Sequence, residues 1–123
     1  MPTDGAFQGG RCVGLRFAQV TDGLSNTIFV GEKHVALKQF GVGWNDCSTY
    51  NGDYPACCTR AAGPGYELAT SLTDPGWKFG SYHPQICQFA MGDGSVHRLP
   101  VSIPGTTLAL LADPADGQVV PDY

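Results

Sequence analysis

An Asp-Gly pair between two short apolar runs is the feature that most restricts the fold of this chain. Residues 86–91 (ICQFAM) and residues 95–99 (SVHRL) have the composition of extended strands, and residues 92–94 (GDG) separate them. Asp-Gly in this position is a strong β-hairpin signal, because glycine supplies the positive φ that a tight turn needs. The sequence therefore predicts a hairpin near its C-terminal end.

Two further segments predict the elements that flank this hairpin. Residues 27–30 (TIFV) form a β-branched and aromatic run that is typical of a strand. Residues 106–112 predict a short helix, which ends at Asp113 because the residue before a proline resists the α region. The predicted fold class is therefore α+β and strand-dominated: an antiparallel sheet with a C-terminal hairpin, long disulfide-stapled loops and one short C-terminal helix. Residues 1–123 fit one globular domain.

Five cysteines in a small acidic chain indicate an oxidising compartment. They are Cys12, Cys47, Cys57, Cys58 and Cys87. Adjacent thiols rarely bond each other, because the ring they close is strained. We therefore expect one of Cys57 and Cys58 to pair with Cys47, with a bridge between Cys12 and Cys87 as a further candidate. The odd count leaves at least one thiol over.

The charge pattern excludes some classes of partner. The chain has 7 basic and 11 acidic residues, a net charge of −4, and its basic residues are scattered along the sequence. Nucleic-acid binding needs a basic face that displaces counterions from phosphates, and a polybasic membrane contact needs a similar cluster. We therefore expect neither partner.

Aspartate greatly outnumbers glutamate and mostly stands beside glycine or proline. Examples are Asp4, Asp22, Asp74, Asp93, Asp113 and Asp116. Turn chemistry explains this pattern, since a short carboxylate accepts hydrogen bonds from nearby backbone amides. A calcium site is the alternative, with Asp113 and Asp116 as weak candidates and Asp122 close to them in sequence.

Two segments carry a resemblance to a known family. Residues 21–32 read TDGLSNTIFVGE, residues 79–84 read FGSYHP, and nine residues separate His83 from Asp93, which Gly94 follows. Together these motifs resemble the prepilin-type processing-associated H-X9-DG domain family.

This resemblance implies a pilin-like head domain. Members of the family carry an N-terminal prepilin leader and a long apolar helix, and we expect that stem helix to be absent from this chain. The implied function is a non-catalytic structural or assembly subunit, the exported head of a type IV pilin-like or type II secretion pseudopilin-like protein. The implied location is extracellular, at the cell surface or in the periplasm. The implied partners are further copies or other pilin-like subunits, with membrane contact only through the missing helix.

The motif residues are interpreted as structural. They are His83, Asp93, Gly94, Asp22, Gly23, Ser25 and Asn26. Ten residues at about 3.3 Å each would place His83 and Asp93 roughly 33 Å apart along a straight strand, too far to share a ligand. No zinc spacing of cysteine or histidine occurs, and no nucleophile–base pair is evident. We therefore predict no enzyme activity, no catalytic residue and no cofactor.

A binding module is the alternative function. Aromatic residues concentrate in the loop half of the chain: Trp44, Tyr50, Tyr54, Tyr66, Trp77 and Tyr82. Most are expected to pack in the core and loops, but an exposed subset could form a contact surface. In that case residues 41–82 would bind a small solute or a glycan outside the cytoplasm.

Overall fold

A computed structural model of the chain describes residues 5–6, 15–43, 45–48 and 54–123. Two short 3-10 turns, Phe17–Gln19 and Leu24–Asn26, precede the first strand. The strands and α-helices that follow are β1 (Ile28–Gly31), α1 (Pro55–Cys58), β2 (Ile86–Met91), β3 (Val96–Pro100) and α2 (Gly105–Ala112). The α+β prediction is confirmed.

The three strands form an antiparallel sheet in the order β1–β2–β3, with β2 in the centre. Both strands of the predicted hairpin are confirmed, and the first predicted strand is confirmed with a shift of one residue. Ile28 lies opposite Met91 and Val30 opposite Ala90, and the register shifts between these pairs. Phe29 is therefore the extra residue of a β-bulge, which bends the edge strand locally.

Short hydrogen bonds close the turn between β2 and β3. The Gly94 amide donates to the Met91 carbonyl (3.0 Å), and the Met91 amide donates to the Ser95 carbonyl (2.9 Å). Gly94 has a φ of +86°, a left-handed conformation that L side chains rarely adopt. Gly94 therefore supplies the positive φ that the sequence predicts for the Asp-Gly pair in this turn.

Alternation along β2 gives the sheet a buried face and an open face. Cys87, Phe89 and Met91 are each at most 3% exposed, whereas the residues between them are only partly covered. Residues from the sheet, from α2 and from the loops meet in one cluster: Ile28, Leu68, Cys87, Phe89, Met91, Leu99, Ile103, Leu108 and Leu111. Full burial of one such aliphatic or aromatic side chain stabilises a fold by about 1.5–3 kcal/mol. This cluster is therefore the main source of stability.

Helix α2 packs closely against the loop half of the chain. A Cβ atom on Gly105 would lie 2.7 Å from the carbonyl oxygen of Gly63, so only glycine allows the helix to begin there. The helix ends at Ala112, and the next residue, Asp113, is extended (ψ 129°) and precedes Pro114, as the sequence predicts. Among the described residues, no helix has the length and apolar character needed to cross a bilayer.

A disulfide closes the loop that precedes α1. Cys47 and Cys57 are bonded, with their Cα atoms 5.1 Å apart. This confirms the prediction that Cys47 pairs with one of the two adjacent cysteines. The single turn of α1 decides between them, because it directs Cys57 into the interior and leaves Cys58 as an exposed thiol.

The other suggested bridge is wrong for Cys87, which is a free thiol; Cys12 lies outside the described residues. Alternation along β2 directs Cys87 into the core, where it is fully buried. Burial, followed by the nearby charge of Glu32, raises the pKa of the Cys87 thiol to about 12. The thiolate needed for disulfide exchange is therefore suppressed, and Cys87 serves as an apolar core residue.

Substitution of Gly94 by valine is expected to destabilise the domain by about 1–2 kcal/mol, because a β-branched residue resists the left-handed backbone conformation. No atom lies within 4 Å of a Cβ at this position, so the effect would be one of backbone strain alone. Urea unfolding measures it. Gly94→Asn is the matched control and should cost less, since asparagine tolerates this conformation. Equal losses for both variants would contradict the assignment.

Reduction of the Cys47–Cys57 disulfide is expected to lower the free energy of unfolding by about 2–4 kcal/mol, because it frees a loop that spans a separation of 10 residues. Thermal unfolding with and without reductant measures the change. Cys58→Ser should keep the full response to reductant, whereas Cys57→Ser should abolish it. A Cys57→Ser protein that still responds would show that another bridge carries the effect.

Candidate functional site

The two motif segments meet along strand β2. Residues 21–32 approach both ends of this strand, and the H-X9-DG signature brackets it, with His83 before the strand and Asp93 after it. The strand therefore lies between the two signature side chains, and each has its own set of partners.

At the turn end, backbone hydrogen bonds attach the hairpin to the first motif. The Gly92 amide donates to the Thr27 carbonyl (3.0 Å), and the Asp93 amide donates to the Leu24 carbonyl (3.1 Å). Thr27 is itself buried, and its hydroxyl donates to the Gly23 carbonyl (3.0 Å). Residues 21–27 (TDGLSNT) therefore fix the hairpin turn by accepting its backbone hydrogen bonds.

The Asp93 carboxylate is committed to that turn. Its Oδ1 accepts hydrogen bonds from the Ser95 hydroxyl (2.6 Å) and the Ser95 amide (2.8 Å). The hydroxyl bond first, and then the amide bond, hold the pKa of Asp93 below its usual range. A carboxylate kept ionised in this way is a poor proton acceptor at neutral pH.

Asp22 joins the first motif to the C-terminal tail. Its Oδ2 accepts from the Asp116 amide (2.8 Å) and its Oδ1 from the Gly117 amide (3.0 Å), across separations of 94 and 95 residues. The Asp22 amide donates to the Pro114 carbonyl (3.4 Å), and the Asn26 side chain donates to the Asp22 carbonyl (3.0 Å). We call this arrangement the Asp22 clamp.

A shallow depression lies beside the Asp22 clamp, with a volume of about 330 Å³. It is lined by Thr21, Asp22, Asn26, Gly117, Gln118, Val119 and Val120. Its charged lining group is the Asp22 carboxylate, whose two oxygens already accept amides. Ser25 of the same motif is exposed and does not line the depression. The concavity thus presents mainly backbone, amide and aliphatic groups.

At the other end of β2, Glu32 extends the strand ladder through its side chain. The Glu32 amide donates to the Gln88 carbonyl (3.2 Å), while the Gln88 amide donates to Glu32 Oε2 (2.6 Å). His83 Nε2 lies 3.3 Å from Glu32 Oε1 and 3.4 Å from the Gln88 side-chain nitrogen. The sequence does not single out Glu32 as a partner of His83. Its position at the end of the first motif is the available signal.

An imidazole beside a carboxylate can move a proton, but acyl transfer also needs a nucleophile held by the imidazole. The Ser81 hydroxyl donates instead to the Ile86 carbonyl (2.7 Å) and accepts from the His83 amide (3.1 Å). The side chains of His83 and Glu32 are both partly exposed. The arrangement therefore resembles a hydrogen-bonded pair that closes the end of a strand more than a nucleophilic centre.

Other aspartates serve turns, as the composition predicts. Asp113 Oδ1 accepts from the Ala115 amide (2.9 Å), and Asp116 Oδ1 accepts from the Gln118 amide (2.7 Å). The two calcium candidates thus have their own backbone partners. Within the described ranges, no three or more His, Cys, Asp or Glu side chains are grouped so as to hold a metal ion.

Several aromatic rings lie at the surface. Tyr54, Tyr66, Trp77 and Tyr82 are between 37% and 56% exposed, so they are surface groups rather than core groups. Tyr82 packs against Phe40, with ring centroids 5.7 Å apart, and its hydroxyl donates to the Val35 carbonyl (2.9 Å). Trp44 and Tyr50 lie outside the described residues.

These observations describe a small α+β fold with a disulfide. Its motif carboxylates accept hydrogen bonds from backbone amides of the same chain. Residues 1–106 match the family described as "Protein of unknown function (DUF1559)", and the chain belongs to that family. No curated protein and no solved structure is significantly similar to this chain.

Asp22→Ala is expected to destabilise the domain by about 1–2 kcal/mol, because two backbone amides lose a charged acceptor. Hydrogen exchange should accelerate at the amides of Asp116 and Gly117, while the β2–β3 turn keeps its protection. Asp122→Ala is the control, since that side chain is exposed in the same tail. Unchanged exchange at residues 116 and 117 in the Asp22 variant would contradict the clamp.

Proposed function

We propose that this chain is a non-catalytic structural or assembly subunit, the exported head domain of a type IV pilin-like or type II secretion pseudopilin-like protein with the H-X9-DG signature. One observation carries the proposal: the motif carboxylates of Asp22, Asp93 and Glu32 all accept backbone amides. Groups committed in this way stabilise the position of the chain. A catalytic carboxylate instead needs an oxygen that can reach a substrate proton.

Two further findings support parts of this proposal. Membership of the DUF1559 family covers residues 1–106, which include both motif segments. The Cys47–Cys57 disulfide is stable in oxidising compartments and rare in the cytosol, which supports a location at the cell surface, outside the cell or in the periplasm.

A binding module is the second candidate, and the exposed aromatic rings favour it. Trp77 is 56% exposed and Tyr82 is 48% exposed. Aromatic side chains are enriched where proteins bind partners. The occupant would be a small solute or a glycan at residues 41–82. Calorimetric titration with a panel of oligosaccharides tests it, with Trp77→Ala as the variant that must lose binding.

Localisation and cross-linking of the native protein in its own cell test the assembly function. An epitope-tagged copy of the whole gene product should fractionate with the envelope or cell surface and should cross-link to copies of itself or to pilin-like subunits. Asp93→Asn, which keeps an acceptor oxygen in the turn, should leave this distribution unchanged. A tagged protein found as a cytosolic monomer would contradict the proposal.

A further inference from the structure

The C-terminal tail, residues 113–123, follows α2 in irregular structure. From residue 115 onward, its backbone makes no hydrogen bond to another backbone group within the described part of the chain. Pro114 is buried and Asp116 and Val120 are half-buried, whereas residues 115, 117–119 and 121–123 are exposed. A segment with so few buried contacts can open without unfolding of the domain.

Side-chain contacts hold the tail beyond Pro114. The Asp22 carboxylate accepts two tail amides in the Asp22 clamp, and Val120 packs against the apolar cluster. At the end of the tail, the Tyr123 hydroxyl lies 3.3 Å from His97 Nδ1. We call the groups that receive the tail the tail seat: the Asp22 carboxylate, the apolar surface beneath Val120, and His97.

The rest of the domain holds the tail seat in place. The Asn26 side chain donates to the Asp22 carbonyl, and the motif before β1 is fixed by hydrogen bonds from the β2–β3 turn. His97 lies on β3, opposite Phe89 of the central strand. The seat is therefore formed without the tail, and a preformed site binds a segment at a lower entropic cost.

The tail fills its seat incompletely. The depression of about 330 Å³ is lined both by tail residues 117–120 and by Thr21, Asp22 and Asn26 of the first motif. Part of the tail is thus separated from the motif, and solvent can reach the Asp22 clamp. Opening of the tail therefore breaks a small number of contacts.

The chain leaves α2 in an extended conformation. Asp113 has a φ of −85° and a ψ of 129°, because the residue before a proline resists the α region. A connection that is already extended can lead the tail to its own seat or away from the domain without a tight turn having to be broken. Asp113 is therefore suited to act as a hinge.

We propose that two copies of this chain exchange their C-terminal tails, so that residues 113–123 of each copy occupy the tail seat of the other. The proposed occupant is the same segment that lies in the seat within one chain. Its contacts join groups distant in sequence, with 94 residues between Asp22 and Asp116 and 26 between His97 and Tyr123. A second copy offers the same contacts, so the exchange conserves them and needs no large new interface.

Concentration decides between the closed and the exchanged form. The tail of an isolated chain meets its own seat at an effective concentration of about 1 mM or above, so the closed monomer predominates in dilute solution. Copies held side by side present neighbouring tails at a comparable concentration. The inference rests on the proposed assembly function and names the segment that connects neighbouring copies.

Hydrogen exchange with two complementary variants of the full chain tests this inference. Isotope-labelled Asp22→Ala has an intact tail and a defective seat, whereas unlabelled Val120→Asp has an intact seat and a tail that no longer packs against the core. With about 1 mM of the unlabelled variant, exchange at residues 116 and 117 of the labelled chain should slow by about threefold or more, the factor expected when about two thirds of its tails are bound.

Two other unlabelled partners are matched controls. Val119→Asp introduces the same charge at a residue that is 91% exposed, so its own tail stays in its seat and the slowing should be much weaker. The double variant Asp22→Ala/Val120→Asp lacks an intact seat and should cause no slowing. Amide spectra of β2 and β3 verify that each variant folds, and Tyr123→Ala replaces Val120→Asp as the tail variant if the latter unfolds.

Unchanged exchange in the presence of Val120→Asp would overturn tail exchange, and so would equal slowing by the double variant. In the cell, envelope assemblies that are unaffected by Val120→Asp would reject the tail as their connection and leave the proposed function standing. A cytosolic monomer would reject that function, whereas the protection of one copy's tail by another copy is measured independently in solution.

Discussion

Backbone hydrogen bonds from the β2–β3 turn to the residues before β1 determine how the rest of the domain is arranged. The amides of Gly92 and Asp93 bind the carbonyls of Thr27 and Leu24, which fixes the first motif against the turn. β1 then pairs with β2 on one side while β3 pairs on the other. With the sheet complete, its inner face can bury the apolar cluster beneath α2. The Asp22 clamp holds the C-terminal tail to the same motif.

The motif side chains are of types that occur in active sites, but their carboxylates accept hydrogen bonds from backbone amides of the same chain. The sequence spacing predicts that His83 and Asp93 are too far apart to share a ligand, and the two residues stand at opposite ends of a strand with separate partners. Hydrogen bonds to the turn keep the pKa of Asp93 low, which suits an acceptor of amides more than a general base. Groups that remain available to other molecules lie elsewhere, on the open face of the sheet and on the exposed aromatic rings.

Local elements could be predicted from the sequence, whereas long-range contacts could not. The hairpin and α2 depend on neighbouring residues, Gly94 and Pro114, whose backbone preferences are fixed by covalent geometry. Ring strain between adjacent cysteines predicts that Cys57 or Cys58 pairs with Cys47, and only the structure assigns the bridge to Cys57. The Asp22 clamp joins groups 94 residues apart and the Glu32–Gln88 contact joins groups 56 residues apart, so no local preference indicates them. The suggested pairing of Cys87 failed because strand alternation, which a cysteine count does not consider, turns that thiol inward.

The sheet places its central strand late in the chain, and this has a consequence for biosynthesis. β1 is made early, but its hydrogen-bonding partner β2 begins only at Ile86. During translation or translocation the hairpin and α2 can form as soon as they emerge, because their contacts are local and hairpins close in about 1–10 μs. β1 must wait for β2 before the two can pair, and this pairing closes a long loop at an entropic cost that grows only slowly with loop length. Until then the backbone groups of β1 lack their partners on β2 and are open to proteases and chaperones.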